Sequence, residues 1–167
     1  MDTSPISATS GRTTEAGRTG LVELAVSDVA HGGWCVARQP GGRVVFVRHA
    51  LPGERVLARI TGTTTRFARA EAVEILQASP DRVEPPCPYS GPGRCGGCDW
   101  QHVDPAAQRL LKATVVREQL ARLAGLDDVD VTVEELPGGP LRWRSRARFA
   151  VSTVIGQSSR TTTSCER

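Results

Sequence analysis

Trp34-Cys-Val-Ala-Arg-Gln-Pro-Gly-Gly-Arg-Val-Val-Phe-Val-Arg48 sets two short apolar runs on either side of a Pro40-Gly-Gly turn. The same rhythm continues outward in both directions. Leu21-Val-Glu-Leu-Ala-Val26 precedes it across a His31-Gly-Gly turn, Pro52-Gly-Glu leads into Arg55-Val-Leu-Ala-Arg-Ile60, and Phe67 to Leu76 supplies a fifth run. Short apolar runs bounded by Gly and Pro at intervals of roughly 8–12 residues predict the strands of a small barrel rather than α/β units. The Ala and Glu content of Phe67 to Leu76 also suits a helix, but the regular spacing favours a strand. Five strands within residues 21–78 match the oligonucleotide-binding barrel in size and strand number. The expected fold class is therefore mainly β at the N-terminal side.

The chain has 167 residues, 23% of them charged and 39% hydrophobic, which suits a globular protein. No apolar run approaches the roughly 18–20 residues that span a bilayer, and no membrane partner is expected. Residues 1–20 are rich in Ser, Thr and Gly and read as a disordered leader without the layout of a secretory signal. The default compartment is then the reducing cytoplasm, where clustered cysteines are metal ligands more often than disulfides. The net charge of +3 permits a polyanionic partner without requiring one, so the placement of the arginines carries more information.

In the barrel segment Arg38, Arg43, Arg48, Arg55, Arg59, Arg66 and Arg69 fall at strand ends and in turns. There they either meet phosphates around a barrel mouth or form solvated strand ends. Trp34 and Phe46 can offer stacking faces to bases, although filling the barrel core is the expected role. Cys35 reads as core. His31 and His49 show no ligand spacing and receive no role.

Residues 79–103 hold the densest chemistry. Cys87-Pro-Tyr-Ser-Gly-Pro-Gly-Arg-Cys95-Gly-Gly-Cys98-Asp-Trp-Gln-His102 places three of the five cysteines among Pro, Gly and Arg, where no apolar run offers them a core. Gly96 and Gly97 allow a tight turn that brings two sulfurs toward one point. The reading is a thiolate-ligated metal or iron–sulfur centre on Cys87, Cys95 and Cys98. A disulfide pair or free thiols is the alternative.

Asp104-Pro105 predicts a helix start, with Asp as N-cap and Pro at the first position. Ala106, Leu110, Ala113, Val116, Leu120 and Leu123 form its apolar stripe, and Gly125 ends it. Val129 to Leu136 alternates as a strand. In Leu141-Arg-Trp-Arg-Ser-Arg-Ala-Arg-Phe149, a strand would put Arg142, Arg144, Arg146 and Arg148 on one face. That face is expected to meet RNA, or else to be a solvated edge. Residues 104–151 thus read as a helix plus strands, and residues 152–167 as an unpatterned tail.

The cysteine run ending in Cys95-Gly-Gly-Cys98-Asp-Trp-Gln-His102, followed by a helix with Gln108 and Lys112, resembles the RNA uracil-5 methyltransferases that make 5-methyluridine in ribosomal or transfer RNA. The resemblance covers roughly residues 20–150. It implies that residues 21–78 are a TRAM domain, with the His31-Gly-Gly turn and Leu51-Pro-Gly-Glu54 in familiar places. It also implies that Cys87, Cys95 and Cys98 ligate a 4Fe–4S cluster, and that the arginine strand opens a central domain. Such a cluster takes four ligands, and Cys165 is the remaining candidate. The family's catalytic thiolate and its S-adenosylmethionine site belong to a C-terminal domain for which this chain has no room. The chain is accordingly expected to be a truncated, RNA-binding, iron–sulfur portion of such an enzyme, inactive in methyl transfer alone. Its expected partners are ribosomal or transfer RNA and, where the catalytic half is supplied separately, a second chain carrying it. The alternative is a stand-alone TRAM-type RNA-binding module with a zinc site, closed by His102.

Overall fold

A computed structural model describes residues 20–95, 97–141, 150–151 and 163–164. Strands β1 (Leu21–Ala30), β2 (Trp34–Arg38), β3 (Val44–Arg48), β4 (Arg55–Thr63) and β5 (Phe67–Gln77) precede one helix, α1 (Pro105–Ala124). The five strands close into a barrel in the order β1-β2-β3-β5-β4, with β4 returning to β1. All pairings are antiparallel except β3 with β5, which is parallel. This is the expected oligonucleotide-binding topology, and closure leaves no free sheet edge. Phe67–Gln77 is a strand, as its spacing indicated.

Strand β1 serves two neighbours. Leu21–Ala25 pair with β4, and the register with β2 slips by one residue between Val26 and Asp28. Ser27, the extra residue, donates its hydroxyl to the Val36 carbonyl at 3.0 Å. A bulge of this kind bends a strand sharply enough to pass from one side of a barrel to the other.

Alternation along the strands decides what lies inside. Leu24, Val26, Cys35, Ala37, Val45, Val47, Val56, Ala58, Ala68 and Ala70 are all buried in one cluster. A five-stranded barrel has a narrow interior, and Ala and Val fill it. Cys35 is part of this core, as expected: its thiol donates to the Ala50 carbonyl at 3.2 Å, and burial pushes its pKa up to about 12.

The same narrowness overturns the expectation for Trp34 and Phe46. Their strand neighbours Cys35, Val45 and Val47 point inward, so both aromatic rings stand on the outside and are half-buried. The barrel has no room for them.

Helix α1 begins where expected. The Asp104 carboxylate accepts from the Ala106 and Ala107 backbone N–H groups, and Gly125 closes the helix in the left-handed conformation. Of the stripe read in the sequence only Ala113 is fully buried, beside Ala107, which the stripe did not include. Ala107 packs with Leu51 and Val103, and Trp100 and Leu111 lie against that cluster. Leu110, Val116 and Leu123 are exposed. Val129–Leu136 forms no strand, because no partner among the described residues offers a ladder for its backbone groups. Ala150–Val151 pairs with Thr163–Ser164 in a short antiparallel ladder. The proposed arginine strand, with Arg142, Arg144, Arg146 and Arg148, lies outside the described residues, as does Cys165.

Candidate nucleic-acid interface and cysteine loop

The register of β2, β3 and β5 puts their outward residues into one patch. Val36 stands opposite Phe46, Phe46 beside Arg69, and Val44 beside Phe67. The Phe46 and Phe67 rings meet edge to face with centroids 5.4 Å apart. The Arg69 guanidinium lies 5.6 Å from the Phe67 ring centroid and 5.9 Å from that of Trp34, and Arg48 lies 5.6 Å from Trp34. Three aromatic rings, two of them lying under guanidinium groups, make a surface that can stack bases and attract phosphates. Outward aromatics are otherwise costly to leave half in water, which makes their grouping on one face informative.

This face is tied to the cysteine loop. Asp99, next to Cys98, forms an ion pair with Arg48, and both side chains are largely buried. Gly33, in the β1–β2 turn, lies directly under Asp99: a Cβ at Gly33 would sit 2.8 Å from the Asp99 Cβ. Gly33 also has φ +77°, which disfavours any other residue. Gly33→Ala is therefore expected to push Asp99 off Arg48 and lower stability by about 1–3 kcal/mol, measured by denaturant unfolding. An unchanged midpoint would show that loop and turn are not packed together as described.

Within the loop, turns bring Ser90 N–H to the Cys87 carbonyl at 3.0 Å and Cys95 N–H to the Tyr89 carbonyl at 3.0 Å. Arg94 donates to the Pro88 carbonyl at 2.8 Å. Cys87, Cys95 and Cys98 are free thiols, two of them half-buried and Cys98 exposed. Three thiols in a short, turn-rich loop are chemically suited to iron–sulfur or zinc ligation. Among the described residues, however, no three Cys, His, Asp or Glu side chains are gathered tightly enough to hold a metal ion. His102 joins no such group, which does not favour the zinc alternative. Cys98 opens instead into a groove of about 700 Å³ between the β1–β2 turn, Trp100 and the first turns of α1.

His102 is built into the seam between loop and barrel. It is 3% exposed, and its ring is hydrogen-bonded to the Ala50 backbone carbonyl. Burial, with the Arg82 charge beside it, lowers its pKa from the usual histidine value to about 4. His49, buried nearby in a left-handed conformation with φ +62°, is also held below its usual value, by burial and then by Arg48. The sequence reading gave His49 no role, and its position next to Arg48 offered no periodic signal.

Below these rings lies Glu54, fully buried. Its carboxylate accepts from Arg82 Nε at 2.6 Å and Arg82 Nη2 at 2.7 Å, and from the backbone N–H groups of Leu51 at 2.8 Å and Ser79 at 3.1 Å. Burial pushes its pKa up, but these donors outweigh it and hold the carboxyl below its usual value. Gly53, with φ +84°, lets the Leu51-Pro-Gly-Glu54 turn fold the carboxylate back on Leu51. Arg82 also donates to the His49 carbonyl at 2.9 Å. One carboxylate thus fastens the segment that leaves the barrel.

The depressed histidines set an acid limit. An unfolded His102 takes up its proton as pH falls through about 6.5, whereas the folded one resists until about 4. Stability present at neutral pH is therefore lost between those values, by about 3 kcal/mol from this residue. His49 acts in the same direction, and Glu54 adds a further loss as pH falls from the ordinary carboxylate value to its lowered folded one. Urea unfolding at pH 7 and pH 4.5 measures the loss, and equal stability at both values would contradict the buried neutral ring.

The barrel and its outward face define the class of protein. Residues 17–73 match the TRAM domain family. An uncharacterized RNA methyltransferase of Streptomyces avermitilis is 58% identical over 141 residues, covering 77% of this chain and 33% of that protein. The 23S rRNA (uracil(1939)-C(5))-methyltransferase RlmD of Chromohalobacter salexigens is 46% identical over 128 residues, covering 77% of this chain and 26% of that one. The tRNA (uracil-54, C5)-methyltransferase of Pyrococcus abyssi, solved with S-adenosyl-L-homocysteine, overlaps 68% of this chain and 23% of its own at 22% identity, with a TM-score of 0.37. The chain carries a TRAM domain and is homologous to the N-terminal part of the RNA uracil-5 methyltransferases. It spans about a third of the length of the Streptomyces relatives it matches.

Proposed function

We propose that this chain is the RNA-binding portion of an S-adenosylmethionine-dependent RNA (uracil-5-)-methyltransferase, acting in the cytoplasm on ribosomal or transfer RNA. The observation that carries the reading is the outward face of β2, β3 and β5, where Arg48 and Arg69 lie over Trp34 and Phe67. Unpaired bases stack on such rings and their phosphates meet the arginines, a mode tolerant of sequence. Selection of a particular uridine would then fall to other parts of the enzyme. Arg142, Arg144, Arg146 and Arg148 would extend the basic surface. Methyl transfer is assigned to no described residue, and a second chain is not required by this reading.

Cys87, Cys95 and Cys98 are the residues that would hold a 4Fe–4S cluster, with the fourth ligand not assigned and Cys165 a candidate for it. Bound, the cluster would cross-link a loop that has little apolar core of its own. The ion pair of Asp99 with Arg48 would pass that rigidity to the stacking face. Iron and acid-labile sulfide assayed on protein purified without oxygen should each approach about four per chain for a full cubane. Protein that binds RNA but carries zinc and no sulfide would return the loop to the zinc reading. Neutralising the four arginines of residues 142–148 together should weaken RNA binding and reduce its salt slope by about 0.7 per lost phosphate contact. An unchanged slope would make them a solvated edge.

A further inference from the structure

The barrel and the cysteine loop enclose a second cleft, of about 490 Å³, lined among others by Arg59 of β4, Arg82, Arg94, His49, His102 and Ser90. Its volume lies within the range of about 300–1,000 Å³ typical of small-ligand sites. Its charge is distributed unevenly. Arg82 is neutralised by Glu54. Arg59 faces Glu71 in the β4–β5 ladder but makes no ion pair among the described residues, and neither does Arg94. Arg94 is oriented by its hydrogen bond to the Pro88 carbonyl. Two guanidinium groups are therefore available to an anion, one from the barrel and one from the loop between Cys87 and Cys95.

His102 supplies the second, independent feature. Its Nε2 is buried and has no hydrogen-bond partner. With the Ala50 backbone bonded to the ring and Nε2 without a partner, the tautomer assigned is the one with the hydrogen on Nδ1 and a lone pair on Nε2. A buried acceptor without a donor costs about 1–3 kcal/mol, and such an atom beside a cleft points to a ligand or ordered water. The cleft thus calls for an anionic group and a hydrogen-bond donor together. A phosphodiester is anionic but has no hydrogen to give. A nucleotide unit in RNA has both, the donor being either its ribose 2′-hydroxyl or an N–H of its base.

We propose that this cleft is a subsite for one ribonucleotide of the bound strand, with its phosphate between Arg59 and Arg94 and a donor of its sugar or base on His102 Nε2. The proposal rests on the RNA-binding reading above and adds a second contact point to it. It makes the cysteine loop part of the RNA surface itself, since Arg94 and Ser90 belong to that loop.

The test uses the full chain with a uridine-rich single-stranded oligoribonucleotide, its all-2′-deoxy counterpart, and inorganic phosphate. Arg59 and Arg94 are on the surface, so the double variant Arg59→Gln/Arg94→Gln should fold. It is expected to lower the salt slope of RNA binding by about 0.7, for the one phosphate that both arginines hold. In the wild type, the ¹⁵N resonance of His102 Nε2 should move to its hydrogen-bonded position when RNA is added and stay in place with phosphate alone. A shift with RNA but not with the deoxy strand assigns the donor to the 2′-hydroxyl, and a shift with both assigns it to the base. An unchanged salt slope, or an unmoved Nε2 resonance at saturating RNA, overturns the subsite. If RNA binding then still falls in Trp34→Ala/Phe67→Ala, the stacking face survives and only the cleft fails. A wild type that binds no RNA at low salt ends both.

Discussion

Glu54→Ala is expected to lower the stability of the chain by about 3–5 kcal/mol, the usual result of removing one member of a buried ion pair. Four donors lose their acceptor at once: Arg82 through two nitrogens, and the backbone N–H groups of Leu51 and Ser79. The two amides cannot follow, because each is fixed by the turn or linker it belongs to. Arg82 can, since its side chain is 20% exposed and lines the cleft, so the loss should fall toward the lower end of that range. Glu54→Gln keeps the shape and an acceptor while removing the charge, and it should recover part of the loss. Denaturant unfolding of the three proteins at neutral pH is the measurement. A change below about 1 kcal/mol for Glu54→Ala would mean that the carboxylate does not fasten Arg82.

The second large effect concerns binding. Trp34→Ala/Phe67→Ala should weaken single-stranded RNA binding by about 30-fold or more, from about 1–3 kcal/mol for each lost stacking platform. Both rings lie outside the core cluster, so the barrel should remain folded at a modest cost, chiefly the edge-to-face contact of Phe67 with Phe46. Arg69 loses both rings beneath it in this variant, whereas Arg48 keeps its pairing with Asp99. Arg69→Gln alone should reduce affinity less and flatten the salt dependence. A double variant that binds RNA like the wild type would leave the aromatic patch without a role in binding.

The barrel was legible because strand and turn chemistry are local. Gly and Pro marked the strand ends, and the alternation of Val and Ala with polar residues marked the inward face. The ends of α1 were legible for the same reason, through Asp104, Pro105 and Gly125. The orientation of Trp34 and Phe46 was not, because hydrophobicity alone favours the interior. Only the closed barrel, already filled by small side chains, shows that they must face out. The alternation of Val129–Leu136 suggested a strand, but a strand exists through its partner, and pairing is not a local property. The Glu54–Arg82 pair joins residues on opposite sides of β4 and β5, with no sequence spacing to announce it. His102 was noticed as a metal ligand candidate, and the structure places it instead in a buried seam with one nitrogen unpaired.

The most direct test of the account is amide chemical-shift mapping of the full chain during titration with a single-stranded, uridine-containing oligoribonucleotide. The expected result is a set of shifts concentrated on Trp34–Arg38, Val44–Arg48 and the Phe67 end of β5, with smaller ones along the cysteine loop. Shifts confined to other strands of the barrel, or none at saturating RNA, would contradict an RNA-binding face built on Trp34, Phe67, Arg48 and Arg69.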